Sequence, residues 1–421
     1  MSSMLWTTKL LKFINQTVRL IEEYDLVIFN GFNVFLSLLQ TVIITKFLSQ
    51  EDFGTYGFYM SLSQYLYVVS SWGFLTWGVN KISGDLTKRD MYFSAIVRAR
   101  ILSGGTAYLA LLGFLLLTQN TLSLAVYGAF LIYCVSIVFS PEILYIAEKK
   151  IKSLVLINVL VKSAYLVIVF LCFILFSMSP QKMFFLFSLL MLITLLVLFQ
   201  GMSFRFDKTT FSEVSGLWPL ISGIPNFTLV LVSFIFASGP VIFSGFFLTA
   251  KYFAVVFASV SMIKMIQAAY TPMIQKILPQ LNTSEVPAVE LFGAIKKDIK
   301  LSLIFSTLCV ALLWVFSPFI VRLVFSSDYV GLESAIRLFS LSLIPGLLST
   351  ILITQVSLYL DILKNAYWAI GAISAVLFSV LIYCYDQLSW VLALSLMLGG
   401  EYVLLAVISL MIFREIQKAR D

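Results

Sequence analysis

Phe47-Leu48-Ser49-Gln50-Glu51-Asp52-Phe53-Gly54-Thr55-Tyr56-Gly57 is the short polar break between the first two of many long apolar runs. Ser49 to Asp52 can hydrate a tight turn at a membrane surface, and the same residues can cap the helix that follows. Glu51 and Asp52 suit the positive N-terminal end of that helix, and the glycines let neighbouring helices meet closely. The stretch therefore reads as a tight membrane-surface turn between two membrane-crossing helices.

Composition extends this reading to the whole chain. Of 421 residues, 60% are hydrophobic and 12% charged, with a mean hydropathy of +1.00. A soluble chain is about half apolar and a quarter charged, so one aqueous core could not hide this much apolar surface. The expectation is an all-α polytopic membrane protein. No cleavable signal is expected, because the first apolar run starts near residue 24 and is long enough to span. Cys134, Cys172, Cys309 and Cys384 each sit in a separate apolar run and read as small core residues, with no disulfide frame or metal site. The chain has no histidine, which disfavours zinc chemistry and histidine proton relays. The net charge of +7 is better explained by topology than by nucleic acid, since the basic residues flank apolar spans.

Twelve spans are predicted near 24–46, 55–78, 94–117, 122–140, 154–176, 183–201, 215–245, 252–276, 300–324, 336–360, 365–384 and 388–412. Each is close to the ~20 residues that cross ~30 Å of hydrocarbon. The seventh is long, and Pro219, Pro225 and Pro240 predict a bend in it. Residues 1–23 hold Lys9, Lys12 and Arg19 among apolar residues, a basic amphipathic lead-in for the cytoplasmic surface. One set of connections carries 21 of the 28 lysines and arginines and the alternate set carries 5. This bias predicts that both termini are cytoplasmic.

The halves echo each other. Phe47-Leu48-Ser49 and Phe53 recur as Phe247-Leu248-Thr249 and Phe253. Leu144-Tyr145-Ile146 with Glu148 and Lys150 recurs as Leu358-Tyr359-Leu360 with Asp361 and Lys364. The expected organisation is a lead-in at 1–23, six helices at 24–201, a cytoplasmic linker at 202–214, six helices at 215–412 and a tail at 413–421. Two parallel repeats of this kind are a known transporter plan.

The opening stretch resembles the first loop of polysaccharide flippases in the multidrug/oligosaccharidyl-lipid/polysaccharide exporter superfamily, and among them the O-antigen (Wzx) branch. Further along, Pro141-Glu142, Glu148-Lys149-Lys150-Ile151-Lys152 and Asn158 are similar to the family's connection between spans four and five. Tyr270-Thr271-Pro272 with Leu278-Pro279, and Ser317-Pro318-Phe319-Ile320 with Leu323-Val324-Phe325 and Tyr329, resemble the ends of its eighth and ninth spans. Ala254 and Val256 stand where Gly and Tyr would be usual, and Ser326-Ser327 replace a common Gly. The resemblance implies two six-helix lobes around a central cavity, working by alternating access in a bacterial inner membrane. It also implies a polyprenyl-pyrophosphate-linked oligosaccharide as substrate, and polymerase and chain-length proteins of the same pathway as partners.

Ionisable groups deep in hydrocarbon cost several kcal/mol and usually face a bundle interior or a watery cavity. Lys162 lies about nine residues into its span, ~13 Å deep at the helical rise. Lys264 and Glu401 fall near the middle of theirs. Asn158, one turn before Lys162, is expected to share its space. The functional reading is a cationic cavity for a lipid pyrophosphate, with one lysine from each half and a point charge that suits release. The structural reading pairs Glu401 with a lysine to fix helix packing. Arg98 or Arg100 could face the cavity entrance, although topology or phospholipid contact explains them as well. Asp25 is a candidate for proton or sodium coupling. Asn33 and Asn226, like Asn30, could bond sugar or another helix, and both readings stand.

Two other functions were weighed against flipping. An ion-coupled drug exporter of the same fold would want buried acids. A polysaccharide polymerase would want a large external loop, and no external connection exceeds about ten residues. No Asp-x-Asp transferase motif and no Gly-rich nucleotide loop occurs. Catalysis is therefore not expected, and neither is a cofactor or a metal.

Overall fold

Ser49 caps a helix as its position requires. Its hydroxyl accepts from the Asp52 amide at 3.1 Å and donates to the Asp52 carboxylate at 2.8 Å. The helix it opens, α2 (Gln50–Ser71), carries Glu51 and Asp52 in its first turn. Before it runs α1 (Gly31–Phe47), a shorter, mainly apolar helix. The computed structural model describes residues 31–117, 122–202, 217–237, 239–275, 288–325, 329–352 and 389–418.

After α2 come α3 (Phe74–Gly84), α4 (Arg89–Leu117), α5 (Leu124–Val138), α6 (Glu142–Ala147), α7 (Ile151–Leu175) and α8 (Pro180–Gln200). The second half holds α9 (Leu217–Ala237), α10 (Gly239–Phe247), α11 (Ala250–Gln275), α12 (Ala288–Val324), α13 (Leu332–Ser340), α14 (Leu343–Ile351) and α15 (Trp390–Lys418). Among the described residues eight helical stretches are long and apolar enough to cross a membrane, and no strand occurs. The protein is a multi-pass membrane protein.

Three predicted boundaries need correction. The span expected at 55–78 is two helices, because Trp72 and Gly73 both take left-handed backbone, with φ of 46° and 66°. The Trp72 amide closes α2 on the Val68 carbonyl at 3.2 Å. Its indole stacks on Phe227 at 3.8 Å and donates to the Leu220 carbonyl at 3.0 Å. The span expected at 122–140 ends at Val138, and α6 restarts after Pro141, a residue that fits the start of a helix better than its interior. The tail expected from 413 is instead the last turns of α15, which runs to Lys418. Of the prolines expected to bend the seventh span, Pro219 and Pro225 lie within α9 and Pro240 within α10, and residue 238 between the two helices lies outside the described residues. The lead-in, nearly all of the linker, the eleventh span, Asp25, and the Leu358–Lys364 repeat lie outside the described residues.

The first repeat has a clear counterpart in space. The Leu48 amide bonds the Ile44 carbonyl at 2.9 Å and the Leu248 amide bonds that of Ser244 at 2.8 Å. Phe53 to Ser49 and Phe253 to Thr249 are both 2.9 Å. The two turns also touch: Gln50 Nε2 donates to the Lys251 carbonyl at 2.9 Å. Gly54 lies so close to the Ala250 carbonyl that a Cβ there would overlap it. Ala254 and Val256, which depart from the first-half pattern, are fully buried at this seam. Beside it, Thr45 Oγ1 donates to the Val324 carbonyl at 2.8 Å and Lys46 Nζ to that of Phe325 at 3.1 Å. The largest core cluster runs across this contact, from Phe53, Tyr59 and Leu66 to Val255, Ile263 and Leu332.

Candidate functional site

Three polar clusters sit among these apolar helices. The first is on α7 and α1. Lys162 Nζ donates to Ser37 Oγ at 3.3 Å, and Ser37 Oγ donates to the Asn33 carbonyl at 3.0 Å. Asn33 Oδ1 is buried with no hydrogen-bond partner among the described residues. Leu36 of α1 and Val155, Val159 and Leu166 of α7 form a small apolar cluster between the same two helices, and there the ammonium meets the Ser37 hydroxyl.

The second cluster lines a cavity of about 330 Å³ enclosed mostly by α2 and α4 to α8, with Val230 of α9 at its edge. Arg100 is 4% exposed. Its Nη1 donates to the carbonyls of Ser140 at 3.0 Å and Ile137 at 3.5 Å where α5 ends, the Ile137 carbonyl also accepting from the Ser140 amide at 3.1 Å. The positive charge also suits that helix terminus. Arg100 Nε is buried with no hydrogen-bond partner among the described residues. Glu142 lies within electrostatic reach of Arg100, yet makes no ion pair or hydrogen bond among the described residues. Tyr133, Asn158 and Thr194 complete the polar wall.

The third cluster lies where α2 meets α11. Lys264 lines a cavity of about 30 Å³ with Ser61, Gln64 and Ser261, room for about one water. Lys264 and Glu401 interact electrostatically. Gly346 of α14 lies against the Gln267 amide and within 3.8 Å of Glu401 Oε2, measured from where its Cβ would stand. A side chain at Gly346 would collide with that amide.

Lys162 and Asn158 do not share one space, as the sequence predicted: Asn158 faces the Arg100 cavity, and Lys162 is not among the residues that line it. They are four positions apart on one helix, about 400° of turn at ~3.6 residues per turn. Of the two arginines, Arg100 lines a cavity, while Arg98 Nε turns back to the Ser94 carbonyl of its own helix at 3.2 Å. Asn226 packs its backbone against Gly73. Sequence reasoning missed Ser37, Gln64 and Gln267, for which hydroxyls and amides in apolar runs were the only signal. It met Glu142 only as part of a loop pattern.

At the membrane-surface end, Glu148 accepts from Arg89 Nη1 and Lys150 Nζ, each at 2.7 Å. Burial raises the Glu148 carboxyl, but these hydrogen bonds and charges outweigh it and hold it below the usual range. The pairs tie the start of α4 to the end of α6, below the Arg100 cavity. A further cavity of about 470 Å³ lies between α2, α4, α9 and α10. It is lined almost wholly by apolar groups, among them Leu111, Phe114, Phe234 and Phe246.

No protein-family model and no curated protein sequence matches the chain. Solved structures do match it. A multidrug resistance MATE family transporter of the MOP superfamily, in an inward-facing conformation, aligns with a TM-score of 0.62 and 14% identity over 92% of this chain and 95% of that one. The lipid II flippase MurJ, in an inward closed conformation, aligns with a TM-score of 0.63 and 16% identity over 93% of this chain and 87% of that one. An outward-facing MATE family transporter aligns at 0.57 and 15% identity, over 95% and 96%. The chain has the fold of the MOP-superfamily transporters.

Proposed function

We propose that this protein is a flippase for polyprenyl-pyrophosphate-linked oligosaccharides, O-antigen units or similar, in a bacterial inner membrane with both termini cytoplasmic. Its two halves act as six-helix lobes that rock about a central site by alternating access. The observation that carries the reading is the pair of lysines inside the spans, Lys162 from the first half and Lys264 from the second. A cation in hydrocarbon costs several kcal/mol without a task, and an anionic headgroup supplies one. Arg100 adds a third positive group against two acids, Glu142 and Glu401, in the clusters described above. The apolar cavity between α4 and α10 offers room for part of a prenyl chain. MurJ is a lipid II flippase of the same fold, which supports a lipid-linked substrate. Transport without catalysis is supported by the likeness to transporters alone. The expected partners are the bilayer and the polymerase and chain-length proteins that consume the product. A proton or sodium ion is the expected driving partner, with Asp25 and Glu401 as candidates.

The test labels lipid-linked oligosaccharides accessible from each face of inner-membrane vesicles, with the gene deleted and then restored. Single repeat units trapped on the cytoplasmic face and released by the plasmid are expected. Single units that reach the outer face and stay unpolymerised would overturn the reading in favour of a later step. A second reading, an ion-coupled exporter of small cations, is favoured by the buried carboxylates Glu142 and Glu401 and by the MATE family structures. Extrusion of a fluorescent cation by proteoliposomes under a proton or sodium gradient would select it.

A further inference from the structure

Beyond the lysines, the Arg100 cavity has the features of a built site. Its volume, about 330 Å³, holds on the order of ten waters and falls within the range of small-ligand pockets. A structural role as the cap of α5 accounts for Arg100 Nη1, which bonds Ser140 and Ile137. That role leaves Arg100 Nε buried without a partner among the described residues, on a cavity that Glu142 also lines. A buried donor left open is unfavourable, so a ligand that meets it recovers that cost.

The lining selects the ligand. An apolar chain would leave both charges without hydrogen bonds. A cation would meet a permanently charged guanidinium, and an anion would meet Glu142. An uncharged ring with several hydroxyls suits both, because each hydroxyl can accept from Arg100 and donate to Glu142. Tyr133, its ring stacked with Phe187 at 5.9 Å, forms part of the wall, and Asn158 can donate and accept together. We infer that the cavity bounded by Arg100, Glu142, Tyr133 and Asn158 binds one uncharged pyranose ring, a hexose or N-acetylhexosamine, and reads the sugar next to the lipid. The reading of that sugar as part of a lipid-linked glycan rests on the proposed flippase function. The recognition of a sugar ring does not.

The full chain in nanodiscs is tested for binding of three lipids: sugar-free polyprenyl pyrophosphate, and the same lipid bearing one hexose or one N-acetylhexosamine. The wild type is expected to prefer at least one sugar-bearing lipid tenfold or more. Glu142→Gln and Asn158→Ala are each expected to bring that preference to within threefold of unity. Asn158→Ala leaves the α5 cap intact should Glu142→Gln fail to assemble. Lys162→Ala is expected to weaken all three lipids and keep the preference. No preference in the wild type, or a preference untouched by both variants, overturns the site. If none of the lipids binds, the flippase reading falls, and equilibrium dialysis with radiolabelled methyl hexoside and methyl N-acetylhexosaminide decides the cavity alone. Retention by the wild type and loss in Glu142→Gln uphold it, and no retention overturns it.

Discussion

At the scale of single residues, direction matters more than depth. Lys162 and Lys264 were legible because an ammonium in an apolar run is costly and conspicuous. What each one touches was not legible, because serines and amides in such runs are common and carry no direction. Four residues from Lys162 on the same helix, Asn158 opens onto a different cavity. The choice between Arg98 and Arg100 was likewise open until the end of α5 placed two carbonyls beside Arg100. If Lys162 serves a headgroup, it is a stability cost held for function. Lys162→Leu is then expected to raise the thermal midpoint, since removing a mid-span lysine recovers up to about 2.5–3.5 kcal/mol, and to lower flipping strongly. A lower midpoint with normal flipping would make it a packing group bonded to Ser37. Glu148 gives a second expectation. Its carboxyl is held below its ordinary value near 4.5, so its contribution is fully present above that pH and lost as pH falls through the lowered value. The difference in midpoint between wild type and Glu148→Gln is expected to be constant near pH 7 and to vanish in strong acid. A difference that persists in acid would count against the Arg89 and Lys150 pairs as its source.

Among the elements, hydropathy located the long helices because any twenty apolar residues announce themselves. It could not locate breaks that involve no proline. Ser71-Trp72-Gly73-Phe74 is as apolar as its flanks, and the α2–α3 break is set by tertiary contacts: Trp72 stacks on Phe227 while Gly73 sits against the Asn226 backbone. Where a proline stands at the break, as Pro141 does before α6, the sequence holds a signal that the α2–α3 break lacks. Gly73→Ala would place a Cβ 2.7 Å from that backbone and hold a left-handed residue without glycine, itself a cost of roughly 1–2 kcal/mol. It is expected to lower the thermal midpoint and to shift Trp72 emission as the stack on Phe227 loosens. Gly84→Ala, with open space around it, is the control and is expected to be neutral or slightly stabilising. Equal effects from the two would mean that backbone entropy, and not the α3–α9 contact, sets the cost.

For the whole molecule, the opening motif gains its meaning from its copy two hundred residues later. Ser49 and Thr249 begin α2 and α11 with the same bonds, and the two turns seal against each other through Gln50, Gly54 and Ala250. The sequence could show that the turns were alike, but not that they touch, since repeats can lie side by side or far apart. If the halves work by the proposed alternating access with this seam as a gate, the cycle parts it once per turnover. Among the described residues the side-chain bond between the turns is Gln50 to the Lys251 carbonyl, flanked by those of Thr45 and Lys46. Such bonds contribute about 0.5–1.5 kcal/mol each, a strength that lets a seam both hold and open. In a background without native cysteines, Gln50→Cys with Lys251→Cys is expected to accept a short bifunctional thiol reagent and to lose flipping when bridged. A reagent that can be cleaved should restore it. Cross-linking is expected to slow when substrate is present, because turnover spends part of its time with the turns apart. Full bridging with undiminished flipping would mean that the halves move without opening here, and the α2–α11 contact would then be a fixed axle of the fold and not a gate.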